Sequence, residues 1–133
     1  MTVATADDLL GLPLFEQFDG ASRSAIAPWF ELRHVSAGVQ LTGEGAAGYS
    51  FFVLREGTAQ VSIDGLEVRT LGAGDFFGEL ALLGGGRRTA TVTTTTPAQV
   101  LVLFGTDFRR LQQEYPELAT QIETRLTEIA TAA

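Results

Sequence analysis

The chain has no cysteine, no lysine and only one histidine among its 133 residues. Without cysteine it cannot form a disulfide, a thiolate nucleophile or a cysteine-ligated metal centre. The single histidine, His34, cannot supply a multi-histidine metal site, and no cluster of acids near it in sequence supports acid–base catalysis. We therefore expect no catalytic residue and no metal ligand, and we expect that the protein is not an enzyme.

Long apolar runs and an excess of positive charge are also missing. No stretch approaches the roughly 18 apolar residues of a membrane-spanning helix. The first ten residues carry Asp7 and Asp8 and lack the basic region of a signal peptide. Sixteen acidic residues against nine basic ones give a net charge of −7, which disfavours binding to nucleic acid or to an anionic membrane. The composition predicts a cytoplasmic protein with no nucleic-acid or membrane partner.

Glycine divides the middle of the chain into short strands. Twelve of the 15 glycines lie between Gly38 and Gly86. Asp64-Gly65 predicts a two-residue type I′ hairpin turn, since both residues tolerate a positive φ. Short strands without intervening helices indicate an antiparallel sandwich or roll and not βαβ units. The predicted strands are residues 49–54, 59–63, 66–71, 91–96 and 99–103, with Phe51, Phe52, Phe76 and Phe77 in the core.

Helical spacing of apolar residues marks both ends of the chain. Thr106 is the predicted N-cap of one C-terminal helix, and Pro116 marks the start of a second. The second helix carries one apolar stripe, formed by Leu118, Ile122, Leu126 and Ile129. We predict a single domain over residues 1–133 that is mainly β with flanking α. It has N-terminal helices at about 4–30, an antiparallel β-roll or jelly roll at about 31–104, and C-terminal helices at about 106–130.

One segment has the composition of an anion site. Gly78 to Leu83 can form one or two helical turns, whose free N–H groups point at their N-terminal end. Arg88 follows a triple glycine and can return to the same anion with its planar fork. Glu79 beside a phosphate needs a donor of its own, which a ribose hydroxyl supplies. The segment therefore predicts a site for a phosphate that carries a sugar.

Two motifs in this segment resemble the phosphate-binding cassette of the cyclic nucleotide-binding domain family. They are Phe77-Gly78-Glu79-Leu80-Ala81-Leu82 and, five residues later, Arg88-Thr89-Ala90-Thr91-Val92, so that the cassette spans residues 77–92. The glycines Gly38, Gly45 and Gly57 and the apolar strand at 51–53 are similar to the family's upstream motif. The resemblance covers about Leu12 to Ile129 and implies the family's double-stranded β-helix, or jelly roll.

The resemblance implies a role for each matching residue. Glu79 would accept a hydrogen bond from the ribose 2′-hydroxyl, and Arg88 would pair with the cyclic phosphate. Backbone N–H groups from Gly78 to Ala81 and around Thr89-Ala90 would complete the cradle. The implied ligand-binding residues are Phe77, Gly78, Glu79, Leu80, Ala81, Arg88, Thr89 and Ala90, with Val61 and Val68 as apolar contacts to the purine.

The sequence departs from the family pattern in two places. Arg87 stands where the family often has proline, after a glycine-rich loop that costs more entropy to order. In the family the C-terminal helix closes over the base. Here that helix offers only Leu126 and Ile129 as residues to cover the base.

As a function, the resemblance implies a regulatory module that binds cyclic AMP in preference to cyclic GMP and needs no other cofactor. Its effector would be a protein or domain outside this chain. Thr89 leaves cyclic GMP as an alternative ligand, because its hydroxyl can accept a hydrogen bond from the guanine 2-amino group. A cupin-type enzyme on the same roll would need several histidines. The main alternative is a degenerate domain with a structural or docking role and no ligand, which the presence of both Glu79 and Arg88 disfavours.

Overall fold

The computed structural model describes residues 2–42, 50–78 and 90–132, with side chains as far as residue 129. Within these residues there are nine strands and three α-helices. The helices are α1 (Gly20–Ile26), α2 (Gly105–Glu114) and α3 (Pro116–Ala132). The strands are β1 (Thr2–Val3), β2 (Glu31–Val35), β3 (Gln40–Thr42), β4 (Ser50–Glu56), β5 (Ala59–Ile63), β6 (Leu66–Leu71), β7 (Phe76–Phe77), β8 (Thr91–Thr94) and β9 (Ala98–Phe104).

The strands form two antiparallel sheets, with the orders β1-β2-β9-β4-β7 and β3-β8-β5-β6. This arrangement confirms the predicted antiparallel roll. The bounds of β5 and β6 agree with the sequence prediction. Asp64 and Gly65 join them with φ angles of 52° and 78°, as a type I′ turn requires.

The adjacent strands β4 and β9 of the five-stranded sheet have buried side chains on both faces, to which successive residues of a strand point in turn. One face packs against the helices through Phe51, Val53, Leu101 and Leu103. The other face meets the four-stranded sheet through Phe52, Leu54, Val100 and Val102. The predicted core aromatics are confirmed, since Phe51, Phe52 and Phe77 are buried and Phe76 is partly buried.

The N-terminal region departs from the predicted helices. It begins with strand β1, and three 3₁₀ turns occupy Ala6–Leu9, Pro13–Phe15 and Ala27–Trp29. Only α1 is a true α-helix here; its N-cap Asp19 accepts from the Ser22 N–H at 2.7 Å, which lowers the pKa of that carboxyl. Gly11, with a φ of 78°, and the prolines interrupt longer helices.

The C-terminal helices confirm the predicted stripe and correct two details. Ile122 and Leu126 are buried, and Leu118 and Ile129 are partly buried. Helix α2 begins at Gly105, with Phe104 as its N-cap and no side-chain cap; the predicted N-cap at Thr106 is therefore wrong. Leu126 packs in the cluster between helices and sheet, so it is not placed to cap a base. No helix in the described ranges is long and apolar enough to cross a membrane.

Candidate ligand-binding site

The two ends of the roll are built differently. Four short turns, at residues 36–39, 57–58, 72–75 and 95–97, lie at one end, which we call the closed end. Thr94 Oγ1 donates to the Ser36 carbonyl at 2.7 Å and accepts from the Val39 N–H at 2.9 Å. The Thr58 N–H donates to Thr96 Oγ1 at 2.9 Å. The threonines at 94–96 therefore join three turns to one another and fix this end of the roll.

The opposite end, which we call the open end, holds one short hairpin and two longer connections. It carries the 64–65 hairpin, the connection between β3 and β4, and the segment between β7 and β8. Because β7 belongs to the five-stranded sheet and β8 to the four-stranded sheet, that segment joins the two sheets. It contains most of the predicted cassette. Five predicted site residues lie outside the described residues: Glu79, Leu80, Ala81, Arg88 and Thr89.

The first end of the segment is fixed by Phe77. Its backbone pairs with Phe52 on β4, and the two rings stack at 4.8 Å with an angle of 11° between their planes. Phe77 is only 9% exposed, and its side chain packs in the cluster between the two sheets. Gly78 follows with a φ of 79°, a conformation that glycine adopts without strain. The chain thus leaves the sheet at a residue whose backbone a ligand can approach closely.

The second end of the segment is fixed by β8. Thr42 Oγ1 donates to the Ala90 carbonyl at 3.4 Å, and Val92 pairs with Val61 on β5. Val92 is buried, whereas Val61 is partly buried against the interior cluster. The structure therefore brings Ala90 and Val61 to the same region of the open end.

The inner face of the four-stranded sheet changes from buried to exposed along its length. At the closed end Ala59, Leu71 and Thr94 are buried. At the open end Ile63 is 40% exposed and Leu66 is 70% exposed. The described residues therefore leave apolar surface uncovered near Ala90, where the 78–90 segment ends, and the face of a flat aromatic base can cover it.

Val68 is less well placed than Val61. The register between β5 and β6 shifts from Val61–Arg69 to Ser62–Glu67, so Val68 is the extra residue of a β-bulge. It is 54% exposed. The bulge breaks the alternation on which a sequence assignment of its face depends.

Arg69 is a residue that the sequence analysis missed. It is the cross-strand partner of Val61, and cross-strand partners share one face of a sheet. Arg69 is exposed, and in the described part of the chain its side chain has no ion-pair or hydrogen-bond partner. Its spacing of two from the buried Leu71 was the available signal, because that spacing places an arginine on the inward face.

Metal ligands do not come together in the described ranges. No group of three or more histidine, aspartate or glutamate side chains lies close enough to hold an ion there. His34 is exposed on β2.

Comparisons with known proteins agree with this architecture. A family model described as cyclic nucleotide-binding domain matches residues 32–115. A cyclic nucleotide-gated potassium channel of Rhizobium etli is 37% identical over 111 residues, which cover 84% of this chain and 31% of the channel. A cAMP-dependent protein kinase regulatory subunit of Eremothecium gossypii is 39% identical over 106 residues, which cover 79% of this chain and 23% of the subunit.

Among solved structures, the N-terminal domain of a transcriptional regulator from Streptomyces coelicolor A3(2) superposes with a TM-score of 0.78 and 28% identity. The match covers 95% of this chain and 94% of that one. The chain spans less than a third of the length of the two sequence relatives. The family match at 32–115 includes the whole predicted cassette.

Proposed function

Because the chain belongs to the cyclic nucleotide-binding domain family, we propose that it binds a cyclic purine mononucleotide at the open end of the roll. The observation that carries the proposal is the position of the 78–90 segment. Its two described ends follow β7 and precede β8, which belong to different sheets. The second end lies beside Val61, Ile63 and Leu66, and the described residues leave Ile63 and Leu66 exposed. In this site Arg88 pairs with the cyclic phosphate and Glu79 accepts from the ribose 2′-hydroxyl. Backbone N–H groups from Gly78 to Ala81 and around Thr89-Ala90 complete the phosphate cradle.

The chemistry of such a ligand fits both parts of the site. Its phosphate is a singly charged diester, which a guanidinium fork and backbone N–H groups bind well. Its base is flat and largely apolar, and burying it against Val61 and Val68 removes apolar surface from water. A degenerate domain without a ligand would need neither Glu79 nor Arg88.

We propose that binding serves regulation and not catalysis. The ligand changes the relative stability of two arrangements of the helices around the roll, and the effector lies in another protein or domain. The relatives include an ion channel and a kinase regulatory subunit, which supports an effector of this kind. We place the protein in the cytoplasm, where it would sense the nucleotide.

The proposal is tested by thermal unfolding with and without nucleotide. At a ligand concentration about 100-fold above Kd, the folded state gains about 2.7 kcal/mol, or a rise of about 10 °C in Tm for a domain of this size. Cyclic AMP is expected to give such a rise, and adenosine 5′-monophosphate at the same concentration a much smaller one. Equal shifts with the two compounds would contradict a site built for the cyclic diester.

Cyclic AMP is the first candidate, in line with the cAMP-dependent relative. Cyclic GMP is the second, and Arg69 is the observation that favours it. A guanidinium only donates hydrogen bonds. Guanine offers two acceptors, N7 and O6, on one edge, whereas adenine offers N7 beside an amino donor. An arginine on the same face as Val61, whose side chain has no partner among the described residues, therefore suits guanine better than adenine.

Replacing Arg69 by alanine separates these candidates. If Arg69 contacts the base, Arg69→Ala is expected to lower cyclic GMP affinity about tenfold, the value of a hydrogen bond to a charged group, and to change cyclic AMP affinity much less. Thr89→Ala should reduce any preference for cyclic GMP over cyclic AMP. It should change the free energy of cyclic AMP binding by less than about 1.5 kcal/mol. Titration of both nucleotides into each variant measures this, with Arg109→Ala on α2 as the control. Equal losses for both nucleotides would mean that Arg69 does not read the base.

A further inference from the structure

The irregular segment of residues 5–18, which we call the strap, lies between α3 and the roll. Three arginines from three different elements donate hydrogen bonds to its backbone carbonyls. Arg55 Nε on β4 donates to the Asp8 carbonyl at 3.0 Å. Arg125 Nη2 on α3 donates to the Pro13 carbonyl at 2.8 Å, and Arg23 on α1 donates to the Phe18 carbonyl. The Asp8 and Pro13 carbonyls belong to 3₁₀ turns, and the Pro13 carbonyl also accepts from the Glu16 N–H at 3.3 Å. The three arginines therefore add side-chain hydrogen bonds that tie the strap to three other elements.

Arg125 is the most deeply held of the cations for which an ion pair is described. Its side chain is 13% exposed, whereas that of Arg110 on the neighbouring helix is 63% exposed. Arg125 Nη1 also donates to Glu128 at 2.8 Å, and Nη2 lies 4.0 Å from Glu16. Its Nε is buried without a partner. A buried N–H without an acceptor costs free energy. The hydrogen bonds of Nη1 and Nη2 therefore have to offset that cost, and they fix the position of the guanidinium.

Pro13 is one of the contacts between α3 and the roll, beside the buried cluster that contains Ile122 and Leu126. Gly74, in the turn at residues 72–75, lies close to the Pro13 ring. A Cβ atom at Gly74 would stand only 2.9 Å from Pro13 Cδ, and Gly74 has a φ of +95°. The Gly74 N–H donates to the Leu54 carbonyl at 2.7 Å. The same turn leads directly into β7 and Gly78, where the proposed nucleotide segment starts.

We propose that Arg125 is a positioning residue that couples α3 to the 72–75 turn through Pro13 and Gly74. Through this turn the position of α3 sets how β7 presents Gly78, a consequence that rests on the proposed function. Coupling between two sites is reciprocal, so a ligand that moves Gly78 also changes the stability of the Arg125 contact. The coupling is regulatory, because it ties the C-terminal helix to the entrance of the site.

Hydrogen exchange in the nucleotide-free protein tests the coupling. In Arg125→Met, which keeps most of the side-chain volume, the Gly74 and Asp75 amides are expected to exchange about fivefold faster or more. The Thr58 and Thr95 amides, in other turns of the closed end, should stay unchanged. Arg110→Met is the matched control and should change none of these amides, while Arg125→Lys should restore part of the protection. Equal acceleration of all four amides would show a general loss of stability and would overturn the proposal.

A second variant tests the route. Pro13→Ala removes the ring that touches Gly74 but keeps the carbonyl that Arg125 binds. If the coupling runs through this ring, adding Arg125→Met to Pro13→Ala leaves the exchange of Gly74 unchanged. Additive effects of the two substitutions would contradict the route, since independent sites add and coupled ones do not.

A titration of Arg125→Met with cyclic AMP tests the link to the site. Affinity is expected to fall severalfold because a loosened turn must be ordered on binding. Unchanged affinity in a variant with faster exchange at Gly74 would overturn that link. If the unaltered protein binds no nucleotide, the proposed function fails, and the exchange comparison alone decides the coupling of α3 to the turn.

Discussion

Arg88→Ala is expected to reduce nucleotide affinity by about 30-fold to several thousandfold, because losing one partner of a desolvated charge pair costs about 2–5 kcal/mol. Arg87→Ala is expected to cost less than about 1 kcal/mol, the range of exposed ion pairs. Val92 points into the buried interior, and we expect the alternation of a strand, continued back from β8, to put Arg88 on that side and Arg87 on the other. Titration of the two variants with cyclic AMP, beside the unaltered protein, measures the difference.

The pair of adjacent arginines provides its own control, since each variant removes the same charge. Arg88→Lys should recover only part of the affinity, because an ammonium lacks the planar fork that matches two phosphate oxygens. Both alanine variants should unfold near the temperature of the nucleotide-free parent. Equal impairment of the two, or a larger loss at Arg87, would mean that the glycine-rich loop shifts the register by one residue.

Gly57→Ala is expected to destabilise the fold by about 3 kcal/mol or more, through a positive φ combined with a backbone clash. Gly57 has a φ of +94°, and a Cβ atom there would stand 2.6 Å from the Pro97 carbonyl oxygen and 2.9 Å from Ala98 Cα. Both contacts are with backbone in a closed-end turn that the threonine hydrogen bonds hold. Urea unfolding at equilibrium measures the change in the free energy of unfolding.

Gly38→Ala is the matched control for this prediction. Gly38 has a similar φ of +81°, but nothing lies within 4 Å of a Cβ atom there. Its substitution therefore carries the conformational cost alone, about 1 kcal/mol. If the two variants lose the same stability, the close approach of Gly57 to Pro97 adds nothing to the cost of the substitution, which contradicts the prediction.

Five of the nine described strands, β4, β5, β6, β8 and β9, could be predicted because their signals are local. The alternation in β5 and β6 and the Asp64-Gly65 turn are both read within a dozen residues, and the structure has the same bounds. The N-terminal helices could not be predicted correctly. Residues 6–9 and 13–15 form 3₁₀ turns in which the Asp8 and Pro13 carbonyls accept from Arg55 and Arg125, and each arginine is more than 40 positions away from its carbonyl in sequence.

The start of α2 shows a competition between signals. Thr106 has the side chain of an N-cap, but the helix begins at Gly105 without a side-chain cap. Phe108 and Leu111 are buried in the core, so packing of the apolar face sets the helix position, and the cap preference is weaker.

For the site, the sequence predicted a segment and its chemistry, and the structure adds where that segment lies. The order of strands in two sheets, which places the two ends of the 78–90 segment at the open end, depends on contacts between distant residues. The bulge at Val68 and the inward register of Arg69 depend on the same pairing. The roles of Glu79 and Arg88 stay predictions, and the Arg88 variants address one of them directly.

Isothermal titration calorimetry of the purified protein tests the central claim most directly. Cyclic AMP, cyclic GMP and adenosine 5′-monophosphate are titrated separately under the same conditions. We predict one site per chain with micromolar or tighter affinity for cyclic AMP and much weaker binding of the linear monophosphate. The absence of saturable heat with either cyclic nucleotide at millimolar concentration would contradict a nucleotide sensor and would favour a structural or docking domain.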